Sequence, residues 1–340
     1  MIEIPVEVSA FQAVDPESAD DALILAASWE DRCLGLPRRS FSYRCKTVYM
    51  TVYEGQNDLR EKNIRELEPL LRGFGKLERM PAMRQDPLGS VRSLIERLQA
   101  LTPNREPKIS IEISTFTRKH LLLILNGLDH AGLLGNCRLY YTEPLDYQTH
   151  EDEAAATGIS AVETIQTLSG SNRPSKNSLL IMFLGFEGRR ALALWEHLEP
   201  HLTIAVIPDP PYHLDWIGRT ELQNRYLLSC IPPANVYHSD ALRPTDSEEL
   251  LERLIADPQF SPEVFDYWIA PLGTRPQMIG TYKFWRERVG FANIVYASPV
   301  RYRPEYRTIA AGRSWLIENT ASWHNNAGRR HHPSSGENAL

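Results

Sequence analysis

An arginine that closely follows a glutamate, directly behind an apolar run, occurs twice in this 340-residue sequence, 157 positions apart. Such a run predicts a buried strand, so each arginine falls at the start of the helix that follows. Cations are unfavourable there because of the helix dipole, and the repetition therefore calls for an explanation. A guanidinium that holds a phosphate or carboxylate is one explanation, and an ion pair that braces the turn is the other. The candidate ligand-binding residues of this motif are Ser28, Glu30, Arg32, Glu187, Arg189 and Arg190.

A second repeated motif joins a threonine to an arginine behind another predicted strand. A small or hydroxyl-bearing residue at a strand end, then threonine and a helix, builds a pocket of backbone amides for an anion. Gly273 would let a ligand approach the backbone, whereas Phe116 stands at this place in the first copy, so we expect the second copy to form the better anion pocket. Helix capping by the threonine is the alternative, and it is compatible with ligand contact. The candidates are Thr117, Arg118, Gly273, Thr274, Arg275 and Gln277.

A third candidate is Asp209, which follows the strand predicted over 202–208. In Rossmann-like units an acid here often binds a ribose hydroxyl, although aspartate is also a common turn residue. No Gly-x-Gly-x-x-Gly, Walker-type, His-Glu-x-x-His or Gly-x-Ser-x-Gly motif occurs, and no histidine falls at a repeated position. The sequence therefore assigns no catalytic residue and predicts neither a metal nor a cofactor.

The motifs belong to an internal duplication. Five short matches occur in the same order in both halves, with offsets between 154 and 157 positions. A nearly constant offset in a fixed order is the signature of a repeat. We predict unit 1 over 1–168, a polar linker over 169–177, unit 2 over 178–323 and a disordered tail over 324–340. The His331-His332 pair of the tail is expected to be solvated.

Apolar and β-branched segments alternate with segments of helical spacing in each unit. In unit 1, strands are predicted over 23–27, 46–53, 108–113 and 137–142, and a buried helix over 121–125. Strands that alternate with helices form a parallel sheet covered on both faces. The predicted fold class is therefore α/β, with two duplicated Rossmann-like units built on mainly parallel sheets. Because ligands bind at the carboxyl ends of such strands, both repeated motifs are expected at the same sheet edge.

The composition is that of an ordinary globular protein, with 42% hydrophobic and 24% charged residues. A net charge of −6 disfavours nucleic acid as the main partner. No apolar run approaches the ~18 residues that cross a bilayer, and the N-terminus is unlike a signal peptide. Four widely spaced cysteines exclude a disulfide scaffold and a thiolate zinc site, which fits a reducing compartment. We therefore expect a cytoplasmic protein without a membrane partner.

The segment 272–278 (Leu-Gly-Thr-Arg-Pro-Gln-Met) resembles the Gly-Thr-Lys-x-Met region of CARF domains. It differs in that Arg275 stands in place of the lysine and Met278 lies one position further on. CARF domains are Rossmann-like sensors of cyclic oligonucleotides in bacterial defence, and the related SAVED domain contains two CARF-like units. The resemblance implies a nucleotide-derived small molecule as ligand. It also implies a separate effector chain as partner, because two α/β units leave no room here for a catalytic domain.

The favoured function is a soluble sensor whose two facing pockets bind a nucleotide or another phosphate-bearing ligand, as a regulatory subunit of an antiviral defence system. One alternative is a nucleotide-processing enzyme, a phosphodiesterase or glycosyl-bond hydrolase, with Glu30, Glu187 and Asp209 as acid–base candidates. Another is a non-catalytic scaffold subunit of a defence complex. Its interface would use four aromatic residues that core packing explains equally well: Tyr302, Tyr306, Trp315 and Trp323.

Overall fold

The computed structural model describes residues 5–12, 19–55, 57–83, 86–147, 156–157, 159–173, 176–302, 308–318 and 323. The predicted tail with its histidine pair lies outside these residues, as do Tyr306 and the side chain of Tyr302. Within the described ranges, no helix has the length and apolar character needed to cross a membrane.

Strands and helices alternate along unit 1. Asn57 caps the second helix of the unit by accepting a hydrogen bond of 2.9 Å from the backbone N–H of Arg60, which fixes where that helix begins. In chain order the elements are β1 (Val6–Glu7), β2 (Asp20–Ala27), α1 (Gly35–Arg39), β3 (Cys45–Tyr53), α2 (Asp58–Phe74), β4 (Lys76–Ala82), α3 (Pro87–Leu101), β5 (Ile109–Glu112), α4 (Arg118–His130) and β6 (Cys137–Tyr147).

Unit 2 repeats this alternation after a connecting region. Its last helix opens with a capping box between Thr274 and Gln277, with Pro276 in the first turn. The elements are β7 (Ala156–Thr157), β8 (Ala161–Thr164), β9 (Asn177–Phe183), α5 (Gly188–Leu198), β10 (Leu202–Pro208), α6 (Trp216–Gln223), α7 (Arg225–Ser229), β11 (Val236–Ser239), α8 (Pro244–Ala256), β12 (Phe265–Pro271), α9 (Arg275–Glu287), β13 (Ala292–Ser298), β14 (Arg301–Tyr302) and β15 (Thr308–Glu318).

The two large sheets share one parallel arrangement. Unit 1 has the strand order β4-β3-β2-β5-β6 and unit 2 the order β11-β10-β9-β12-β13, and every one of these pairings is parallel. The central strand β2 is buried along its whole length, as expected for a sheet covered on both faces. The predicted α/β fold class with two mainly parallel sheets is confirmed. The strand order reverses beside β2 and β9, which is where such sheets bind ligands.

The units exchange their last strands. β15 lies antiparallel to β6 in the unit 1 sheet, between β6 and the edge strand β1, and β8 lies antiparallel to β13 at the end of the unit 2 sheet. The boundaries predicted at 168 and 178 therefore divide the sequence repeat but not the folded sheets. Arg173, a described residue of the predicted linker, contacts the unit 2 sheet, since its Nε lies 3.1 Å from Oδ1 of Asp266 in β12.

A continuous apolar core joins the units. The buried leucines of α4 and the buried residues of α9 belong to the same cluster, which confirms that 121–125 is a buried helix. At the edge of this contact, Nη2 of Arg286 in α9 lies 2.8 Å from Oδ1 of Asp129 in α4. These two residues are equivalent in the repeat, 157 positions apart, and carry opposite charges. The contact between the units is therefore built like a protein interior.

Candidate functional site

A cavity of about 580 Å³ lies between the carboxyl ends of the two sheets. The two repeated motifs of each unit meet at its walls, at the sheet edge where the sequence predicts them. Their role in binding a ligand stays a prediction. Ten of the thirteen candidate residues line the cavity: Ser28, Glu30, Arg32, Thr117, Arg118, Glu187, Arg190, Gly273, Thr274 and Arg275.

Arg118 and Arg275, which are equivalent in the repeat, each reach across to the other unit. Nη2 of Arg118 donates to the carbonyl oxygens of Leu272 and Gly273, both at 2.7 Å. Nη2 of Arg275 donates to the carbonyl oxygen of Phe116, also at 2.7 Å. We call this pair the arginine clasp. The Nε atoms of both arginines are buried and have no hydrogen-bond partner in the described part of the chain.

The first repeated motif contains an ion pair in both units, but with different spacing. Nε of Arg32 lies 2.6 Å from Oε2 of Glu30. In unit 2, Oε2 of Glu187 lies 2.8 Å from Nη1 of Arg190, while Arg189 is exposed and lies outside the cavity wall. The predicted equivalence of Arg32 with Arg189 is therefore wrong. The geometry of α5 turns Arg190 toward the sheet, and Arg189 toward solvent.

Both paired arginines also brace the first turn of their unit to its last parallel strand. Nη1 of Arg32 donates to the carbonyl oxygen of Thr142, at 3.5 Å. Nε of Arg190 donates to the carbonyl oxygen of Ala297, at 2.7 Å. These carbonyl groups lie 155 positions apart, at equivalent places in β6 and β13. The Glu-x-Arg brace is thus met in unit 1, whereas in unit 2 Arg190 takes this role in place of Arg189, and both bracing arginines lie on the cavity wall.

The threonines of the second motif cap helices. Oγ1 of Thr117 accepts a hydrogen bond from the backbone N–H of His120, at 3.3 Å. Oγ1 of Thr274 accepts from the backbone N–H of Gln277, at 3.2 Å, and donates to the carbonyl oxygen of Ala241, at 2.6 Å. Gln277 is completely buried, closes the capping box and lies outside the cavity wall. Its predicted ligand contact is therefore replaced by a structural role.

Gly273 is required by its own unit. A Cβ atom at this position would collide with Oε1 of Gln277 and lie 3.2 Å from the carbonyl oxygen of Leu184. In unit 1 the corresponding Phe116 is fully buried in the shared core. The packing of the capping box is therefore a second explanation for a glycine at this position, besides the predicted access of a ligand to the backbone.

Asp209 lies away from the cavity wall. Its Oδ2 atom is 3.2 Å from Nδ1 of His238, and its side chain is 40% exposed. Glu187, the second acid–base candidate, is partly buried, with a side chain that is 19% exposed, and its desolvation favours the neutral carboxyl. The guanidinium groups of Arg190 and Arg118 outweigh that effect and hold the pKa of Glu187 below its ordinary value. An ionised carboxylate that is paired with arginine is not suited to act as a general acid.

The cavity wall carries an excess of positive charge, although the chain as a whole has a net charge of −6. Burial, together with Arg118 and Arg32, lowers the pKa of Arg275 to about 10. The charged side chains of the wall are six cations and four acids: Arg32, Arg60, Arg118, Lys119, Arg190, Arg275, Glu30, Glu54, Glu163 and Glu187. Clustered, buried guanidinium groups with unsatisfied N–H donors are costly unless an anion offsets them.

One end of the cavity is aromatic. Tyr147 and Phe186 have ring centroids 5.0 Å apart, Phe186 and Trp216 5.5 Å, and Tyr141 and Tyr212 5.7 Å. We call these five residues the Trp216 end. Rings from both units contribute to it, since Tyr141 and Tyr147 extend from β6 and the others from unit 2. Such a wall suits the flat face of a planar ring.

The other end includes four polar side chains of unit 1, Tyr53, Arg60, Ser90 and His120. We call it the Arg60 end. The backbone N–H of Thr117 donates to the hydroxyl of Tyr53, at 2.9 Å, and that hydroxyl lies 3.2 Å from Nδ1 of His120. Nε2 of His120 then carries the ring proton toward Oγ of Ser90, at 3.2 Å. Burial lowers the pKa of His120 to about 4.

The hydrogen-bond directions at the Arg60 end argue against a serine nucleophile. The hydroxyl proton of Ser90 goes to the carbonyl oxygen of Pro87, at 2.8 Å. Because Nε2 of His120 is the donor in this chain of bonds, it cannot take a proton from Ser90. The arrangement therefore holds a neutral imidazole in place rather than activating a hydroxyl.

The sequence analysis missed Arg60 and the aromatic wall. Arg60 lies in the first turn of α2, so the argument applied to Arg32 would have found it. The aromatic residues gave no such signal, because two of them come from unit 1 and three from unit 2. Only the facing of the two units brings them together.

Other predicted residues lie elsewhere. Trp323 is buried, and its Nε1 donates to the carbonyl oxygen of Cys137, at 3.2 Å, which supports core packing. Trp315 is partly buried beneath the guanidinium of Arg313. All four cysteines are unpaired, and only Cys230 is exposed. Among the described residues, no group of three or more His, Cys, Asp or Glu is arranged to hold a metal.

Comparisons with known proteins add little to this picture. No family model matches the chain, and no curated protein matches it. A structure of a functionally unknown protein from Pseudomonas aeruginosa PAO1 aligns over 83% of this chain and 93% of its own, with 9% identity and a TM-score of 0.25. A protein from Pseudomonas aeruginosa UCBPP-PA14, provisionally described as a universal stress protein, aligns over 83% and 94%, with 9% identity and a TM-score of 0.26. TM-scores this low carry no argument about fold or function.

Proposed function

We propose that this protein is a sensor that binds a nucleotide-derived, phosphate-bearing ligand in the cavity between its two units. The observation that carries the proposal is the arginine clasp. Two equivalent guanidinium groups line the cavity, each hydrogen-bonded to a backbone carbonyl of the other unit, and the Nε–H donor of each is buried without a partner in the described chain. Both arginines line the cavity, so a phosphate bound there would lie beside two guanidinium groups and offset their positive charge.

The surroundings of the clasp favour an anion over a neutral ligand. Arg118 has Glu187 as its nearest carboxylate, with Nη1 at 3.6 Å from Oε2, and Arg190 engages the same oxygen at 2.8 Å. One carboxylate therefore serves two cations, and the positive charge remains undercompensated. An anionic group between the clasp arginines would restore the balance.

The aromatic wall makes a nucleotide a better fit than inorganic phosphate alone. A phosphate at the clasp leaves the Trp216 end open for a second, planar group. The ring edges at this end suit the flat face of a base, because aromatic groups favour edge-to-face contact. A ligand with both a phosphate and a base would use both parts of the cavity.

The test is a thermal-shift and calorimetric titration against mononucleotides and against linear and cyclic oligonucleotides of two to four units. A ligand at 100 times its Kd adds about 2.7 kcal/mol to the free energy of unfolding. We expect at least one nucleotide to give such a stabilisation, and the double variant Arg118→Ala/Arg275→Ala to lose it. Each lost charge-assisted hydrogen bond should weaken binding by roughly 1.5–3 kcal/mol.

Arg189→Ala is the matched control, since this arginine is exposed and outside the cavity wall. It should bind as the wild type does. Absence of any nucleotide-dependent stabilisation, or equal loss in Arg189→Ala and the clasp variant, would rule the proposal out.

The proposal extends to a partner. The resemblance of segment 272–278 to CARF domains supports a sensor in a cytoplasmic bacterial defence system, with a SAVED-like pair of units that regulates a separate effector chain. Purification of the tagged protein from its native cell, with and without the ligand found above, tests this extension. A stoichiometric partner whose retention depends on the ligand is the expected result. A protein that purifies alone in both conditions would contradict it.

A further inference from the structure

The two ends of the cavity differ chemically in the first turn of the helix that follows the second strand of each unit. Arg60 follows the second strand of unit 1, and Trp216, 156 positions later, follows the second strand of unit 2. Because the two units face each other across the cavity, equivalent residues lie at opposite ends. One end therefore presents a guanidinium where the other presents an indole ring.

Arg60 is a poorly compensated cation. It is 4% exposed, and its Nε is buried without a hydrogen-bond partner in the described residues. Its Nη2 donates to the carbonyl oxygen of Gly55 and lies 3.4 Å from Oε1 of Glu61. The Glu61 side chain is 49% exposed, so solvent screens its charge. Glu54, which also lines this end, is exposed as well.

The Trp216 end suits a different group. Its rings pack edge to face, and the guanidinium of Arg219 covers Phe186 at 4.6 Å and Tyr147 at 5.8 Å. The cation is thus already engaged with ring faces. This end offers apolar area and ring edges to a planar, uncharged group.

We infer that the ligand is linear and has unlike ends, with a terminal phosphate at the Arg60 end and a base at the Trp216 end. This inference rests on the proposed function and narrows its ligand class to a 5′-phosphorylated linear nucleotide of about two units. An internal phosphodiester would lie at the arginine clasp. A cyclic oligonucleotide of identical units has no terminal phosphate and presents the same groups in both directions, so it offers no terminal charge to the guanidinium of Arg60.

The experiment compares three series of dinucleotides by calorimetry. The first contains the four linear homodinucleotides with a 5′-phosphate, the second the same four with a 5′-hydroxyl, and the third the four cyclic forms. We expect the best phosphorylated linear form to bind at least tenfold more tightly than its 5′-hydroxyl form and than its cyclic form. Arg60→Ala should abolish the difference between the two linear forms.

Arg65→Ala, an exposed arginine on the same helix, is the control and should preserve the tenfold preference. Arg60→Met keeps the apolar stem, so it separates loss of charge from loss of packing if Arg60→Ala is unstable. A cyclic form that binds most tightly, or an Arg60 variant that weakens both linear forms equally, would overturn the inference. If only cyclic forms, mononucleotides or longer oligonucleotides bind through the clasp, the proposed function stands while this inference falls; if no nucleotide of any kind binds, both fall.

Discussion

At the scale of single residues, equivalent positions of the two units solve the same local problem with different side chains. His120 and Gln277 are 157 positions apart, one turn into α4 and α9. Gln277 closes a capping box by accepting from the backbone N–H of Thr274. In unit 1 the hydroxyl of Tyr53 accepts the corresponding N–H of Thr117 and connects it to His120. As a consequence of this arrangement, the imidazole of His120 is buried.

Protonation of His120 should destabilise the protein in mild acid. Its pKa is lowered to about 4 in the folded state, against an ordinary 6.5, so the unfolded chain binds the proton more tightly. The stability that this histidine contributes is therefore complete above pH 6.5 and is lost progressively as the pH falls toward 4. Between pH 7.5 and pH 5 the loss is about 2 kcal/mol by linkage.

His120→Gln, which imitates unit 2, should remove this part of the pH dependence. Denaturant unfolding of both proteins at pH 7.5, 6 and 5 measures it. Carboxyl groups common to the two proteins cancel in the comparison, including the buried Glu112, whose pKa burial raises to about 7. Parallel pH profiles for the two proteins would contradict the prediction.

Gly273→Ala should destabilise unit 2 although the glycine lies on the cavity wall. The added Cβ would displace Gln277 from the capping box, and overpacking of this kind costs about 1–3 kcal/mol. Gly218→Ala in α6 is the control, because a Cβ there meets nothing within 4 Å. Alanine in a helix is favoured over glycine by about 1 kcal/mol, so the control should be at least as stable as the wild type. Urea unfolding distinguishes the two, and equal midpoints would refute the packing role.

At the scale of elements, the exchange of strands makes the units interdependent. β8 comes before β9 in the chain but extends a sheet whose other strands come after it, and β15 returns to the sheet of unit 1.

The Asp129–Arg286 ion pair also indicates that each unit depends on the other. In a dimer of identical units this position would face its own copy with the same charge, so the pair requires two units whose sequences have diverged.

A chain split within the connecting segment, between residues 173 and 176, should therefore reassemble. The two fragments exchange strands and bury a shared core, so we expect them to copurify as a 1:1 complex after coexpression. A second fragment that ends at residue 302 lacks β15 and leaves β6 with an open edge, and it should associate more weakly. Size-exclusion chromatography gives the readout. Fragments that elute as separate folded monomers would show that the exchange is not needed.

At the scale of the whole molecule, the excess charge of the cavity wall is positive, whereas the net charge of the chain is negative. Because the net charge of the protein is negative, anions are repelled by the rest of the surface and attracted to the cationic site. Inorganic phosphate should therefore stabilise the protein by binding at the clasp.

We expect 20 mM phosphate to raise the Tm above that in sodium chloride of equal ionic strength. For a Kd of about 1 mM, the added stability is about 1.8 kcal/mol. The double variant Arg118→Ala/Arg275→Ala should lose this increment, while Arg189→Ala keeps it. The same increment in all three proteins would indicate a general effect of the salt rather than a site.

The sequence alone predicted the duplication, the α/β class and the two motifs of each unit that lie on the cavity wall. Apolar runs predicted the central strands because these strands are buried on both faces and need only local composition to be recognised. The repeat then indicated that the glutamate, threonine and arginine motifs belong to one sheet edge, and ten of thirteen candidates lie there.

Only the tertiary structure decided which side chains face one another. β4, β8 and β15 were missed since β4 is an edge strand and β8 and β15 pair with strands distant in the chain, so their own composition carries little signal. Arg189 and Arg190 cannot be told apart until the exact start of α5 sets the helix face. The clasp, the aromatic wall and the unlike ends of the cavity exist only because two units are held face to face. That contact depends on a shared apolar core, and no local pattern encodes it.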